Sequence, residues 1–421
     1  MRGGTVAVVG GSIAGCAFAS AAARAGADEV LVLERTRGRL ADRGVGLCIH
    51  DERAAELTAT GALPAGIPAH PLTRRTWVVR DDAAGPAGRT FWEQPFPFHS
   101  YHWGLLWRGL REATPDSVAY RQGAAVSEVA DGTDRTDGAD GANGADGAQG
   151  AAEVRLADGG VERYDLVVGA DGYRSVVREA LSPKSRPQYA GYVCWRGNFD
   201  AARLPEAGAG HWSPDAVTTV CFPGGSCVVY RIPGPEGLRV NWVLYATPPQ
   251  AGRLPYDDPT SFPPGRVTEE LRAHLGELLE RRFPPHWARV LRLTEPQDTI
   301  VQPLYDLDAE RIAAGRLLLA GDAATVVRPH NTSGAAKALQ DASAFESAWR
   351  AAGSWAELTS AYQAARGPAG RELVALARRL GRAQVEQTPA WASLDHRAAQ
   401  EWWTGQLAGA ADIGGQAMTG P

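Results

Sequence analysis

The chain has 421 residues, of which 44% are hydrophobic and 22% are charged, an ordinary composition for a soluble globular protein. Its formal net charge of −5 argues against a general nucleic-acid binder or a membrane-surface protein. No uninterrupted apolar stretch reaches the ~18 residues of a membrane span. The five cysteines contain no C-x-x-C pair, which argues against a metal site or a disulfide framework. We therefore expect a cytoplasmic protein with reduced thiols, no metal, no nucleic-acid partner and no membrane association.

The N-terminal segment is typical of a β-α-β unit. Residues 5–9 form a short apolar run of the kind found in buried parallel strands. Residues 12–25 are rich in alanine and precede Gly26, which predicts a helix with a glycine at its C-terminal cap. Residues 29–33 form a second apolar run. Together these segments predict strand, helix and strand in succession.

The turn between the first strand and the helix is rich in glycine. It matches the pattern G-x-G-x-x-G at Gly10 and Gly15, with Ser12 in place of the middle glycine. Gly10 permits a tight turn, and Gly15 lets the helix and strand approach, so that backbone N–H groups at the helix start face a pyrophosphate. Glu34 lies 19 residues beyond Gly15, where a carboxylate accepts hydrogen bonds from a ribose. The alternative is a tight turn that binds no phosphate.

The middle of the chain contains a repetitive Asp/Gly/Ala tract at residues 131–152, which predicts a solvated, disordered loop. Its flanks at 125–129 and 153–156 alternate as strands do, so the tract expands a hairpin. Residues 165–168 read as a buried strand. The runs 217–222, 227–232 and 239–246 read as strands joined by Pro/Gly turns, which predicts a separate antiparallel sheet.

The C-terminal third returns to the buried-strand pattern at residues 316–320 and then becomes helical from 334 to 381. We expect breaks in this helical region at Gly353 and around Gly367-Pro368. The tail beyond residue 389 carries Trp391, Trp402 and Trp403. These rings are expected to pack either on the body of the protein or on a partner subunit.

Two further strands end in small residues followed by an aspartate, at Gly169-Ala-Asp171-Gly172 and at Ala320-Gly321-Asp322. Such turns let backbone approach a ligand while the carboxylate accepts hydrogen bonds from sugar hydroxyls. The three turns, in this order, resemble the fingerprint of the flavoprotein aromatic monooxygenases similar to p-hydroxybenzoate hydroxylase. Residues 189–197 and 328–338 resemble the branch that contains 2,6-dihydroxypyridine 3-hydroxylase.

This resemblance implies an α/β fold, with a Rossmann-like FAD-binding domain, an inserted antiparallel-sheet substrate domain and a helical C-terminal region. The FAD-binding domain is discontinuous and is expected at residues 1–74, 101–185 and 299–385. The substrate domain is expected at residues 75–100 and 186–298, and the tail at 386–421.

The resemblance also implies the chemistry. Members of the family bind FAD, accept electrons from NADH or NADPH, and hydroxylate or epoxidise an electron-rich aromatic or heteroaromatic molecule with O2 through a C4a-hydroperoxyflavin. The sequence has no second dinucleotide fingerprint, so the choice between NADH and NADPH stays open, and a homodimer is a family-level expectation. The alternatives are a flavin oxidoreductase that does not hydroxylate, a halogenase, whose W-x-W-x-I-P motif is absent, or a non-catalytic flavoprotein.

Carried over by position, Glu34 should hold the adenosine ribose, Arg43 and Arg108 should lie near the ribose and pyrophosphate, and Asp322 should bind the ribityl region. The helix that begins near Ser333 should direct its positive end at the flavin ring. The complete set of predicted FAD contacts is Gly10, Ser12, Ile13, Ala14, Gly15, Glu34, Arg35, Arg43, Arg108, Asp171, Gly172, Gly321, Asp322, Pro329, Ser333, Gly334 and Ala335.

Three histidines are candidates for catalysis. His50 follows the glycine-containing segment 44–46 and could also be purely structural, while His330 precedes the flavin-facing helix. His211 could be the base that deprotonates a substrate hydroxyl, because a neutral imidazole accepts a proton near pH 7. The predicted substrate contacts are Trp195, Trp212, Tyr230 and Asn331. Core packing is the alternative for the three aromatic residues.

Overall fold

The computed structural model describes residues 3–38, 45–132, 150–204, 212–248 and 267–410, together with two short strands at 412–413 and 416–417. The predictions for Arg43, His211 and most of the Asp/Gly/Ala tract lie outside the described residues. So does most of the chain beyond residue 410. None of the helices in the described segments combines the length and apolarity that a bilayer crossing requires.

The described strands, in chain order, are β1 (Thr5–Val9), β2 (Glu29–Glu34), β3 (Gly46–His50), β4 (His70–Val79), β5 (Arg89–His102), β6 (Val118–Gln122), β7 (Val126–Ala130), β8 (Ala152–Leu156), β9 (Val161–Tyr164), β10 (Leu166–Gly169), β11 (Gln188–Asp200), β12 (Ala216–Phe222), β13 (Gly225–Gly234), β14 (Gly237–Ala246), β15 (Ile300–Asp308), β16 (Ala313–Ala314), β17 (Leu317–Leu319), β18 (Thr325–Val326), β19 (Asp412–Ile413) and β20 (Gln416–Ala417). The described α-helices are α1 (Ile13–Ala25), α2 (Asp51–Ala59), α3 (Trp103–Glu112), α4 (Val176–Leu181), α5 (Glu269–Arg282), α6 (Pro285–Leu291), α7 (Gly334–Ala351), α8 (Trp355–Gly381) and α9 (His396–Leu407).

A six-stranded sheet carries the three small-residue turns. Its strand order is β16-β17-β10-β1-β2-β6, and all pairs except β16–β17 are parallel. The predicted buried runs therefore become the central strands, and α1 ends at Gly26 in a left-handed conformation as expected. α1 packs beside α7, and both helices share one core with these strands. The predicted β-α-β unit is confirmed.

A nine-stranded sheet forms the second layer, in the order β18-β15-β11-β14-β13-β12-β4-β5-β3. The predicted antiparallel strands are confirmed as β12, β13 and β14. One face packs on α5 and α6 around several tryptophan rings. β3, β15 and β18 belong to this sheet although they fall within the predicted FAD-binding segments, because strands from distant parts of the chain complete the sheet at both ends. The domain boundaries at residues 74, 100, 185, 298 and 385 stay a prediction.

The C-terminal helices differ from expectation at one point. α7 ends at Ala351 and α8 begins at Trp355, so the break at Gly353 is confirmed. α8 then continues through Pro368, so the second predicted break is wrong. Proline inside a helix costs ~3 kcal/mol, and tertiary packing offsets this cost here. A side chain at Gly370 would lie 2.7 Å from the Thr325 hydroxyl, which shows how closely α8 is seated on β18.

The tail packs on the body of the protein. Trp391, Trp402 and Trp403 meet Trp77 of β4 and Trp92 of β5 in a C-terminal aromatic cluster. The centroid of the Trp77 ring lies 5.5 Å from that of Trp403 and 5.3 Å from that of Trp92. Of the two alternatives drawn from the sequence, the described residues display packing on the body.

Candidate active site

The three turns predicted to bind a dinucleotide converge at the C-terminal ends of β1, β10 and β17. A Cβ atom at Gly10 would lie 2.5 Å from the Ala170 carbonyl oxygen, so the first and second turns are in contact. A Cβ atom at Gly321 would lie 2.9 Å from the Ala14 side chain, so the third turn contacts the first. Both glycines have positive φ angles, 97° and 54° respectively. Glycine is thus required here by conformation and by space.

The glycine-rich turn is held in shape by residues that the motif does not contain. A Cβ atom at Gly15 would lie 1.9 Å from the Gly10 carbonyl oxygen, so no side chain fits there. The Gly11 carbonyl accepts hydrogen bonds from the Trp107 indole at 2.8 Å and from the Tyr120 hydroxyl at 2.9 Å. Sequence reasoning missed these two hydrogen bonds, because Trp107 and Tyr120 are distant along the chain and no local pattern marks them.

Glu34, the predicted acceptor for the adenosine ribose, ends β2 beside the first turn. Its carboxylate is buried and accepts hydrogen bonds from the backbone N–H groups of Gly11 and Thr36, both at 2.8 Å. Each carboxylate oxygen has a second lone pair, so the group can still accept hydrogen bonds from ribose hydroxyls. Arg35 directly follows β2 and Arg108 lies on α3, and both residues are exposed. Their predicted roles in FAD binding stay predictions.

Asp171 turns back onto its own loop. Its Oδ2 atom accepts a hydrogen bond from the Val176 backbone N–H at 2.7 Å, while Oδ1 is buried without a hydrogen-bond partner among the described residues. Burial raises the pKa of this carboxyl group, although hydrogen bonds from the loop oppose the shift. Gly172, with a φ of 79°, lines the cavity described below. The hydrogen bond that Asp171 accepts therefore fixes the conformation of this turn, and Gly172 is the residue of the turn that lines the cavity.

The third turn rests on a buried ionic cluster formed by Lys337, Asp341 and Arg366. Lys337 donates to Asp341 at 2.5 Å, and Arg366 donates to the other carboxylate oxygen at 2.7 Å. Asp341 in turn accepts from the Gly321 backbone N–H at 3.4 Å. Burial alone would raise the pKa of Asp341, but the two cations hold it below its usual value. The cluster ties α7 to the turn that carries Asp322.

The N-terminus of α7 points at the same place. Ser333, Gly334 and Ala335 line the cavity, as do Ser12, Ile13 and Ala14 at the start of α1. Asp322 also lines it, and its carboxylate has no hydrogen-bond partner among the described side chains. Two helix N-termini, an open carboxylate acceptor and backbone without Cβ atoms are the groups that a dinucleotide pyrophosphate and polyol require. The residues present therefore fit FAD.

One cavity joins these turns to the nine-stranded sheet and has a volume of about 360 Å³. The floor of the cavity is one face of the nine-stranded sheet, and strand register determines which side chains line it. Arg196, Val243 and Val228 lie in one row across β11, β14 and β13, while Tyr230 and Arg75 lie in the next row. Since alternate residues of a strand share one face, all of these side chains point toward the cofactor end.

The same alternation removes two predicted substrate residues from the cavity. Trp195 precedes Arg196 on β11 and is fully buried on the opposite face, in the core against α5 and α6. Trp212 lies in that core as well, edge-on to Trp287 with ring centroids 5.5 Å apart. The alternative of core packing describes both rings, whereas Tyr230 does line the cavity.

His330 lines the cavity and is fixed by two tyrosines. Its Nε2 atom is 2.8 Å from the Tyr192 hydroxyl, and its ring centroid is 4.2 Å from that of Tyr245. Nδ1 is buried with no partner among the described residues. Burial, reinforced by Arg328 and Arg75, lowers the pKa of His330 to about 3. The imidazole is therefore neutral at physiological pH and can exchange hydrogen bonds with a ligand.

His50 and Asn331 have structural contacts instead. His50 is the N-terminal cap of α2, where its Nδ1 atom accepts from the Glu52 backbone N–H at 3.3 Å, and it does not line the cavity. The buried Asn331 amide donates to the Leu373 carbonyl at 3.2 Å and holds the turn before α7 against α8. Pro329 of that turn reaches the cavity.

Sequence reasoning missed three polar residues of the cavity. Arg75 and Arg196 present guanidinium groups from opposite sides of the floor, and Gln384 presents an amide whose Nε2 atom has no partner among the described residues. Gln384 follows α8 and lies far from any motif. A basic residue inside a strand pattern was the available signal for both arginines, because charged side chains are buried only when a partner or ligand compensates them.

Comparisons with known proteins agree with this geometry. Family models described as "FAD binding domain-like" and "FAD binding domain" match residues 189–302 and 265–377. The chain is 30% identical over 360 residues to 3-amino-4-hydroxybenzoate 2-monooxygenase of Streptomyces platensis, covering 80% of this chain and 77% of the relative. This chain belongs to the FAD-dependent aromatic monooxygenases. FAD is the cofactor of this monooxygenase, and NADH or NADPH is the electron donor.

Two other matches add detail. The monooxygenase is 33% identical over 201 residues to 2,6-dihydroxypyridine 3-monooxygenase of Paenarthrobacter nicotinovorans, but that match spans only about half of either protein, 45% of this chain and 49% of the relative. The solved 2,6-dihydroxypyridine-3-hydroxylase of Arthrobacter nicotinovorans shares the fold, with a TM-score of 0.77 at 24% identity over 93% of this chain and 96% of that one. A salicylate hydroxylase complex has a TM-score of 0.71 at 19% identity, covering 96% and 94% of the chains.

Proposed function

We propose that this monooxygenase hydroxylates a small, electron-rich aromatic or heteroaromatic molecule bound between the FAD-binding turns and the nine-stranded sheet, with O2 as co-substrate. One observation carries the proposal. A single cavity of about 360 Å³ is lined at one end by the three converging turns and at the other by the sheet face. The cofactor-binding turns line part of this volume, and the sheet end offers the remaining space to a small aromatic molecule placed directly against the flavin.

The cofactor, when bound, supplies the oxygen-transfer chemistry, and the protein binds, orients and shields the substrate. Val217, Val228 and Val243 give the cavity apolar walls that exclude water from the reacting ring. Tyr230 and His330 offer polar atoms that hold a ring hydroxyl in one orientation. These side chains come from separate elements of a packed sheet and turn, so their positions are fixed before the substrate arrives.

His330 is our candidate for the residue that contacts a substrate hydroxyl. Its Nδ1 atom has no partner among the described residues and can exchange a hydrogen bond with a substrate hydroxyl, while Nε2 is held by Tyr192. Because burial lowers the pKa of His330 to about 3, the ring is neutral across the physiological pH range and orients the substrate through this hydrogen bond. His50 caps a helix, and the proposal for His211 concerns a residue outside the described segments.

The test begins with the purified protein and FAD. Substrates named for the relatives, 2,6-dihydroxypyridine, 3-amino-4-hydroxybenzoate and salicylate, are each supplied with NADH or NADPH while O2 consumption and product mass are measured. We expect at least one compound to accelerate NAD(P)H oxidation and to gain one oxygen atom from ¹⁸O2. A flavoprotein that oxidises NAD(P)H but never labels a product would instead be an oxidoreductase of another type.

The non-catalytic alternative makes a different forecast. Under this alternative, no aromatic compound accelerates NAD(P)H oxidation, whether or not the protein binds FAD. Hydrogen peroxide must be quantified in the same runs, because O2 consumed without product labelling would indicate uncoupled oxidation. We further propose a homodimer in the cytoplasm, which size-exclusion chromatography with light scattering and cell fractionation would check.

A further inference from the structure

A buried arginine without an acidic partner lies in the cavity floor. Arg75 is only 8% exposed, and its guanidinium group is within salt-bridge distance of no carboxylate among the described residues. Arg328 provides the comparison, because it is also 8% exposed but pairs with Asp306 at 2.8 Å and Glu386 at 3.1 Å. Two arginine residues with the same exposed fraction therefore differ in whether an acidic side chain pairs with them.

The electrostatic consequence follows from burial. Desolvation lowers the pKa of Arg75 to about 10. The pKa of Arg328 is raised despite burial, because Tyr192 and Asp306 stabilise its charge. A buried cation without a counter-charge lowers the stability of the folded protein. Such a residue inside a cavity is stabilised when an anionic ligand binds to it.

The geometry leaves a specific part of Arg75 open. Its Nε atom donates to the Thr219 hydroxyl at 2.8 Å, and its guanidinium carbon lies 4.1 Å from the ring centroid of Trp77 and 5.6 Å from that of Trp403. These contacts fix the plane of the group. Its two terminal nitrogens have no hydrogen-bond partner among the described residues, and together they match the two oxygens of a carboxylate.

The rest of the cavity has the same sign. Arg196 lines the opposite side of the floor, and its Nε atom donates to the Cys194 sulfur at 3.1 Å rather than to a carboxylate. Among the described lining residues the acidic side chain is Asp322, which lies at the cofactor end. His330 is neutral, so the sheet end of the cavity carries positive charge without a described counter-charge.

We propose that the substrate of this monooxygenase carries a carboxylate, and that the carboxylate binds the terminal nitrogens of Arg75. The inference rests on the proposed function, because it concerns the ligand of the same cavity. It separates the substrates named for the relatives into two groups. Hydroxybenzoates satisfy the arginine, whereas 2,6-dihydroxypyridine, which has no carboxylate, leaves it unpaired.

The experiment measures ligand binding to the oxidised FAD-loaded protein through perturbation of the flavin absorption spectrum, which requires no turnover. The ligands are 3-amino-4-hydroxybenzoate, salicylate and their carboxamides, which keep the ring and remove the charge. We expect the wild-type protein to bind the carboxylates about 30-fold more tightly than the carboxamides, the range of a charge-assisted bidentate pair. R75Q should abolish this preference, and R75K should retain part of it.

The matched control is R74Q. Arg74 is the neighbouring residue on β4, but it is exposed on the other side of the strand, so its removal changes the net charge equally without touching the cavity. R74Q should keep the wild-type preference. If R75Q fails to fold, R75K and the wild-type ratio of carboxylate to carboxamide affinity still decide the question.

The outcomes are distinguishable. Equal binding of carboxylates and carboxamides by the wild-type protein, with 2,6-dihydroxypyridine hydroxylated, overturns the carboxylate inference and leaves the proposed function intact. A preference that survives in R75Q but disappears in R196Q overturns the assignment to Arg75. A protein that binds FAD but neither binds nor hydroxylates any aromatic compound overturns the proposed function itself.

Discussion

The cofactor end and the substrate end of the cavity are built in different ways. At the cofactor end, each contact comes from a short turn whose residues are adjacent in sequence, such as Gly10 to Gly15. At the substrate end, most of the lining residues come from strands of the nine-stranded sheet, and on β13 and β14 they stand at every second position, as Val228 with Tyr230 and Val243 with Tyr245 do. The cofactor end can therefore be recognised from sequence motifs, whereas the lining of the substrate end depends on strand register.

The two ends also differ in how they tolerate change. At Gly10 and Gly15 the first turn is limited by contact with backbone, which leaves no room for a side chain. On the sheet face, the identity of each side chain determines which ligand fits. A substitution there therefore changes ligand preference more than it changes the fold. This difference suggests four perturbations of the cofactor end and its boundary, in order of decreasing effect.

G15A should have the largest effect. The new methyl group would be placed 1.9 Å from the Gly10 carbonyl oxygen, so the turn must move away from its FAD-binding shape. We expect FAD affinity to fall by about 100-fold or more, roughly 3 kcal/mol. Flavin content after purification and FAD titration followed by fluorescence would measure the loss.

G276A is the matched control, because Gly276 is a helical glycine of α5 with no atom within 4 Å of its would-be Cβ. It should raise the stability by up to ~1 kcal/mol through helix propensity, with unchanged FAD binding. Similar FAD affinities in both variants would contradict the account of the glycine-rich turn.

K337M tests the ionic cluster beneath the third turn. Removing one partner of a buried ion pair leaves Asp341 with Arg366 alone, and we expect a loss of about 3 kcal/mol in the free energy of unfolding. FAD affinity should also fall, because Asp341 holds the Gly321 backbone. Urea unfolding and FAD titration provide the two readouts.

R350Q is the control on the same helix. The Glu346–Arg350 pair has the same i,i+4 spacing, but the Arg350 side chain is exposed, so its loss should cost less than about 1 kcal/mol. Equal destabilisation by K337M and R350Q would show that burial does not set the strength of the cluster.

H330Q tests the buried imidazole at the boundary between the two ends. The unfolded chain binds a proton on His330 as the pH falls through 6.5, whereas the folded protein does so only near 3. The stability gained from the neutral ring is thus present above pH 6.5 and is lost on acidification. Between pH 7 and pH 5 the wild-type protein should lose about 2 kcal/mol more than H330Q.

Urea unfolding of both proteins at several pH values isolates this difference, because all other titrating groups are common to the two. Parallel pH profiles would mean that the ring is protonated in the folded protein at pH 5. His330 would then be charged at the sheet end, which would contradict its assignment as a neutral ring that orients the substrate.

T332G should have the smallest effect. Thr332 precedes the flavin-facing helix with a φ of 54°, which is unfavourable for a β-branched residue. Glycine relieves about 1 kcal/mol of strain but loses conformational freedom on folding, so we expect a net stabilisation below ~1 kcal/mol. T60G, at a φ of −83°, relieves no strain and should destabilise in the same thermal unfolding assay.

Particular elements explain how far sequence reasoning reached. The β-α-β unit, the three turns and the break at Gly353 were predicted because each is written in adjacent residues. The break at Pro368 was predicted wrongly, because the contact of Gly370 with Thr325 belongs to packing rather than to local preference. Trp195 was selected and Arg196 missed, because an aromatic residue is a common ligand contact but register decides which of two neighbours faces the cavity.

By itself, the sequence determined the family, the cofactor and the order of the three small-residue turns, because backbone conformation near glycine depends on neighbours within a few residues. Only the tertiary structure decided which side chains line the cavity and which arginine lacks an acidic partner among the described residues. The physical reason is that a strand presents alternate residues to opposite faces, and burial and pairing depend on chain segments that are distant in sequence.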